Sequence, residues 1–321
     1  MGSHSSTEPN AVKFITVFTP TYNRAGLLHR VYDSLIRQTN QQFKWLIIDD
    51  GSTDGTREVV DRFIQDGKVE ISYVYKPNGG LHTGYNAAIA RLDTELSVCI
   101  DSDDWLPEDA IERIFRVWNK CRAENIAGLI GLDYTADGRL IGDHLPDGAV
   151  IDPVDLLASR TNRGDKKYVV RTDCYRKVAP MPEFPGEKNF NPHYMILRLC
   201  AEYRFIAVDA PLCVVDYQPD GMTANQYRQY LDSPRSFAEQ RRAILSLPDV
   251  PPKYLLKTAI HYCSSSQLGH DPHYVRESPR PFLTALCIPA GRLLTAYIRK
   301  HERKCKENGG RKENRCCDPG L

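Results

Sequence analysis

Two apolar runs in this chain end abruptly in acids. Leu46-Ile47-Ile48 meets Asp49-Asp50-Gly51-Ser52, and some fifty residues later Ser97-Val98-Cys99-Ile100 meets Asp101-Ser102-Asp103-Asp104. Short apolar runs rich in β-branched residues read as buried strands. In open α/β sheets a ligand binds beyond the carboxyl ends of the strands. Carboxylates that converge there repel one another unless a cation or ligand hydroxyls compensate them. The chemistry this spacing asks for is a divalent metal on a polar, phosphorylated ligand. Such a metal needs one or two carboxylates and leaves its other positions to phosphate oxygens and water. Asp101 and Asp103 supply that pair if the strand continues, because residues two apart share a face. The structural alternatives are an acidic approach to the helix opened by Pro107, and a turn in which an Asp caps the helix after Asp50.

Two further loops carry polar chemistry. In Thr19-Pro20-Thr21-Tyr22-Asn23-Arg24, Tyr22 could stack on a base and Arg24 approach a phosphate. A plain βα loop capped by Asn23 would use the same residues. In Asn78-Gly79-Gly80-Leu81-His82 the glycines let the backbone approach a ligand closely, and a turn before a helix needs them too. Each alternative stands well alone. Four in succession at strand ends favour a site.

Those loops need a frame. Strand patterns cover residues 14–18, 45–48, 71–75 and 96–100, and helix patterns follow over 25–38, 53–64, 82–92 and 107–121. Ser52 or Thr53 is the expected cap of the second helix. This order implies an α/β fold with a mostly parallel, twisted sheet and helices on both faces. After a strand over 126–132 turns dominate 137–153 and 180–192, with a strand over 167–171 between them. A helix over 193–201 and strands over 205–208 and 212–217 close the unit. From 224 the pattern is helical, over 226–246 and 253–267 and through an apolar run at 282–298. The expected organisation is a leader or tag over 1–11, an α/β domain over 12–223, and a helical extension with a basic tail over 224–321.

A net charge of +1 over 321 residues makes no electrostatic case for nucleic acid as partner. The one sign asymmetry is at 299–315, with eight Lys/Arg against three Asp/Glu. The ten cysteines contain no CxxC pair, so a reducing, cytosolic compartment is expected and a zinc site is not.

Taken together, Pro20-Thr21-Tyr22-Asn23-Arg24, Ile48-Asp49-Asp50-Gly51-Ser52-Thr53-Asp54, Asn78-Gly79-Gly80 with Asn86 downstream, and Asp101-Ser102-Asp103-Asp104 resemble the inverting family 2 glycosyltransferases. The resemblance covers residues 14–223. It implies a Rossmann-like GT-A fold, a nucleotide-diphospho-sugar donor (UDP being commonest) and Mn²⁺ or Mg²⁺ as cofactor. It further implies inverting transfer of a hexose to a hydroxyl of a glycan or lipid-linked glycan, as in surface polysaccharide assembly. By the same resemblance Pro20 and Tyr22 border the nucleobase, Asp50 binds it, Asp101 lies near the ribose, and Asp103 holds the metal with Asp101. Arg24, Gly80, His82, Asn86 and Asp104 complete the donor site.

The family's acidic base, often in a Glu-Asp pair, would be Glu187 in Gly186-Glu187-Lys188. Lys188 stands where the second acid would be, which leaves Glu183 as the alternative. Residues 220–223 resemble an acceptor-side segment. A lipid-linked acceptor implies a cytoplasmic protein, peripheral at the inner membrane face, with the run at 282–298 and its basic successor on anionic lipid. Packing of that run on the catalytic domain is the alternative. Two other functions compete. A sugar nucleotidyltransferase would carry a glycine-rich loop after strand one, where this chain has none, and a non-catalytic sugar-nucleotide or glycan binding module is kept open by Lys188.

Overall fold

The computed structural model describes residues 13–158, 164–216 and 226–307. An eight-stranded sheet in the order β3-β2-β1-β4-β7-β5-β8-β6 forms its centre. β1 (Ile15–Thr21), β2 (Phe43–Asp49), β3 (Ile71–Tyr75) and β4 (Leu96–Cys99) pair in parallel. Helices α1 (Leu28–Ile36), α2 (Thr56–Asp66), α3 (Leu81–Ile89) and α4 (Ala110–Cys121) follow them in turn. Parallel neighbours share an orientation, so all four strand-to-helix loops leave the same sheet edge.

Every residue of β1 is buried, as expected of a strand covered on both faces. Alternation sorts its side chains. Ile15 and Val17 pack with Leu28, Val31 and Leu35 of α1 and Ile111 and Ile114 of α4. Phe18 faces the other way, into the core that holds Ala88 and Ile89 of α3. The expected α/β sheet with two helical layers is therefore present.

The second half departs from all-parallel order. β7 (Lys166–Arg171) runs antiparallel between β4 and β5 (Ile126–Thr135), whereas β8 (Arg204–Val215) is parallel to β5, and β6 (Val150–Ile151) pairs antiparallel at the rim. The ends of β5 and β8 and the start of β7 thus lie at the same edge as the four loops. β8 is one strand where two were expected. Pro211 has no ladder N–H, and a register shift between Ile130 and Leu132 accommodates it. Three helices flank these strands, α5 (Pro153–Ala158), α6 (Thr172–Val178) and α7 (His193–Leu199), of which only the last was expected.

Other corrections are local. Neither Ser52 nor Thr53 caps α2; Gly55 holds that position, and the Thr56 N–H donates to Asp54 Oδ1 at 3.0 Å. The single helix expected over 226–246 is broken into α8 (Gln226–Asp232) and α9 (Pro234–Ser246). Pro234 lacks the N–H that an interior position needs, but suits a first turn. α10 (Pro252–Leu268) and α11 (Pro281–Glu307) pack along each other, and Ala243 and Ile244 of α9 join the core beneath α7. The leader, the boundary near 223, the segment 220–223 and the tail beyond 307 lie outside the described residues.

Candidate active site

Three of the four loops are stitched into one surface. The Asn23 N–H donates to Ser52 Oγ at 2.9 Å, the Thr53 N–H to Asn23 Oδ1 at 2.8 Å, and the Ala25 N–H to Asp54 Oδ2 at 3.1 Å. Gly51, at φ +85°, passes so close to Asn78 that a Cβ there would meet the Asn78 nitrogen at 2.7 Å. Pro20 is buried beneath this surface, and Tyr22 stands out from it, 48% exposed.

Asp50 is buried, and its carboxylate is turned toward the start of α3. It accepts from Lys76 Nζ at 2.5 Å, Gly80 N at 2.8 Å, Gly79 N at 2.9 Å and Asn78 Nδ2 at 3.2 Å. A carboxylate has about four lone-pair sites, and these donors take them. In this arrangement Asp50 shapes the glycine loop. Gly80 itself sits at φ +95° against Lys188, where a Cβ would lie 2.2 Å from the Lys188 carbonyl oxygen; only glycine fits.

Asn86 works one turn further on. Its Nδ2 donates to Met181 O and Glu183 Oε1, both at 3.0 Å, and the Met181 N–H donates back to Oδ1 at 2.8 Å. It clamps the loop that carries the exposed Glu183. His82 lies buried beside Phe190 with Nδ1 unpartnered, and burial holds its pKa below the ordinary value.

Glu187, the expected base, is held against the start of α9. It is buried, and its oxygens accept from the backbone and side chain of Arg235 and from the backbone and hydroxyl of Ser236. That makes it the cap of α9, because the first N–H groups of a helix have no partner within it. An acid saturated by four donors is poorly placed to take a proton from an acceptor. Glu183, with one donor from Asn86, keeps that capacity.

The fourth loop gathers charge. Asp101 is exposed, Asp103 half-buried and Asp104 buried. Burial and the neighbouring Asp101 push the Asp103 pKa up, with Arg24 and Arg30 opposing. Arg24 and the three acids expected at the site are thus together. Burial pushes Asp104 up to about 7. The Asp216 N–H donates to its Oδ1 at 3.3 Å, and Cys213 Sγ lies 3.8 Å from Oδ2. Trp105 exchanges two backbone hydrogen bonds with Val214, at 3.0 and 2.8 Å, so the end of β8 fastens the acidic loop.

Sequence reasoning missed Lys167 and Asp133. Register sets Lys167 opposite Gly131 and Asp133 opposite Cys213, which brings all three charged or thiol groups to one face beside Asp104. Burial works against the Lys167 ammonium, but Cys213, Asp133, Asp101 and Asp104 outweigh it and hold its pKa above the ordinary lysine value. Asp133 is buried with Oδ1 unpartnered, and burial pushes its pKa up to about 6. The available signal was a Lys-Lys pair opening a strand on a sheet edge rich in acids.

Among the described residues no three His, Cys, Asp or Glu side chains form a cage for an ion. A divalent ion bound against phosphates does not need one. Burial and repulsion from Asp101 both lift Asp103, and a cation beside the two acids would relieve the repulsion, so this donor set fits Mn²⁺ or Mg²⁺. The cavity lined by Glu95, Trp118, Arg171 and Arg176 lies at the opposite sheet edge, away from these groups.

Residues 16–167 match the family model described as Glycosyl transferase family 2. This stretch belongs to that family. The chain is 31% identical over 134 residues to the hyaluronan synthase of Pasteurella multocida, an alignment covering 42% of this chain and 14% of that protein. Most of that relative has no counterpart in the alignment. Among solved structures, residues 1–349 of S. aureus TarS in complex with UDP-GlcNAc superpose with a TM-score of 0.58 at 14% identity, over 90% of this chain and 92% of that one. The mannosyltransferase PcManGT from Pyrobaculum calidifontis, in complex with GDP-Man and Mn²⁺, gives 0.51 at 16% identity, over 91% and 84%. At such identities the likeness is one of fold, and the fold is GT-A.

Proposed function

We propose that the family 2 domain transfers a hexose, with inversion, from a nucleotide-diphospho-sugar to a hydroxyl of a glycan or lipid-linked glycan, and that it requires Mn²⁺ or Mg²⁺. The observation that carries this reading is the gathering of Asp101 and Asp103 near the charges of Arg24 and Arg30 at one end of a stitched loop surface, with Asp103 pushed up by burial and by its acidic neighbour. That is an anion and metal pole beside a platform for a base. The UDP-GlcNAc bound to TarS and the GDP-Man and Mn²⁺ bound to PcManGT support it, with UDP the first choice of nucleotide.

In this reading Pro20, Tyr22 and the loop shaped by Asp50 border the base, and Gly80, His82 and Asn86 wall the donor. Asp101 lies toward the ribose and shares the ion with Asp103, while Arg24 approaches the diphosphate. When bound, the ion supplies positive charge against the departing diphosphate. Glu183 takes the proton of the acceptor hydroxyl, whose oxygen attacks the anomeric carbon from the face opposite the nucleotide. A lipid-linked acceptor would place the protein at the cytoplasmic face of the membrane.

A panel of nucleotide sugars tested for Mn²⁺-dependent thermal stabilisation, followed by turnover with the best binder with and without EDTA, checks this. A UDP-sugar should raise the melting temperature only with metal and be consumed only with metal. If no nucleotide sugar shifts the melting temperature, the donor reading fails. Binding without consumption would leave a sugar-nucleotide binding module.

A further inference from the structure

Among the described residues one face of α11 is apolar and largely uncovered, with only Tyr297 at its far end packed edge-on against Tyr227 of α8. Phe282, Leu286, Leu293 and Tyr297 are 87%, 80%, 74% and 44% exposed. On a helix of 3.6 residues per turn these positions fall within about 60° of one another and span about 22 Å. Pro289 lies in the same strip and is exposed. Four large side chains in line are a patch of a kind that marks an interaction surface, unlike scattered single ones.

The opposite face is fixed. Thr284, Cys287, Gly291, Thr295 and Ile298 are buried, and a Cβ on Gly291 would meet the Cys263 Cβ of α10 at 2.4 Å. Thr295 Oγ1 donates to Ser264 Oγ at 3.0 Å, and Cys263 Sγ lies 3.3 Å from Thr284 O. Arg280 ties the start of the helix to Leu245 O at 3.0 Å and Leu247 O at 2.9 Å. The segment 281–302 is long and apolar enough to span a bilayer by composition alone. Spanning would strip this seam from α10, so the helix is built to lie along a surface.

Charge selects the surface. Arg292, Arg299 and Lys300 are exposed, and residues 299–315 hold eight Lys/Arg against three Asp/Glu. An anionic surface complements that run; a second identical copy would repeat it. We infer that α11 is a monotopic anchor, lying flat on an anionic bilayer with Phe282, Leu286, Leu293 and Tyr297 sunk into the boundary between headgroups and acyl chains, and Arg299 and Lys300 on lipid phosphate. This inference stands apart from the reading of the catalytic edge, because lipid binding can be measured without turnover.

The full chain is floated with vesicles of phosphatidylcholine alone and of phosphatidylcholine with phosphatidylglycerol, at low and high salt. It should float with the anionic vesicles, and less so at high salt. A Phe282→Ser, Leu286→Ser, Leu293→Ser variant changes only exposed side chains, so it should keep the wild-type melting temperature while losing at least about tenfold in partitioning. Arg299→Gln with Lys300→Gln should lose binding to anionic vesicles specifically. Failure of the wild-type chain to float with anionic vesicles overturns the inference. So does a concentration-dependent dimer that the triple variant splits while vesicle binding is unchanged, which would make a second copy the occupant.

Discussion

Glu187 reaches forty-nine residues along the chain to hold the first turn of α9. Its Oε2 accepts from both the backbone N–H and the hydroxyl of Ser236, each at 2.7 Å, while Oε1 accepts from Arg235. The loop between α6 and α7 is thereby bolted to the helical extension.

This separates two glutamates by experiment. Glu187→Ala should cost about 2–4 kcal/mol of folding stability in urea titrations, since it leaves helix N–H groups and Arg235 unpaired. Turnover per folded molecule should survive. Glu183→Gln should keep stability and metal-dependent donor binding yet lower turnover by about 10²–10⁴-fold. A well-folded Glu187→Gln protein with no turnover, beside an active Glu183→Gln, would return the base to Glu187.

Asp103→Asn removes one of two carboxylates that repel each other. Without metal the variant should melt no lower than wild type. Its stabilisation by Mn²⁺ with a nucleoside diphosphate should vanish, and transfer should fall by at least about 10²–10³-fold. Wild-type metal dependence in this variant would move the ion elsewhere.

Asp133→Asn carries a pH signature. Burial raises the folded pKa of Asp133 to about 6, above the ordinary value near 3.9 of an unfolded chain. The folded state holds the proton more tightly, so this group's contribution to stability is present at low pH and is lost as pH rises through about 4 to 6. The amide lacks that penalty. In EDTA, the stability of Asp133→Asn relative to wild type should grow by about 2 kcal/mol between pH 4.5 and 7.5. A gap that stays constant would mean that Asp133 is not buried in this way.

Lys167→Met keeps most of the side chain's length and removes its charge. Asp101, Asp104 and Asp133 then lose their internal cation, and the apoprotein should lose about 2–4 kcal/mol. Mn²⁺ should restore more stability to this variant than it adds to wild type. Equal shifts in the two proteins would show that Lys167 does not offset these acids.

The parallel core and its four loops were legible because their signals are local. Period-two and period-3.6 patterns locate β1 to β4 and their helices, and the boundary residues Asp50, Gly80 and Asp101 announce where each strand stops. Sequence reading failed where a partner lies far away. Nothing near Glu187 signals Ser236, and nothing in Lys167 or Asp133 says that β7 and β5 will be neighbours. At Ser233-Pro234 proline chemistry signals the break, while helical periodicity runs straight through it.

Gly80 and the Lys188 carbonyl approach so closely that no side chain fits between them. Any other residue at position 80 would push the start of α3 away from the segment that carries Glu183. In the proposed reading, the wall beside the donor and the segment that carries the base meet at this one contact.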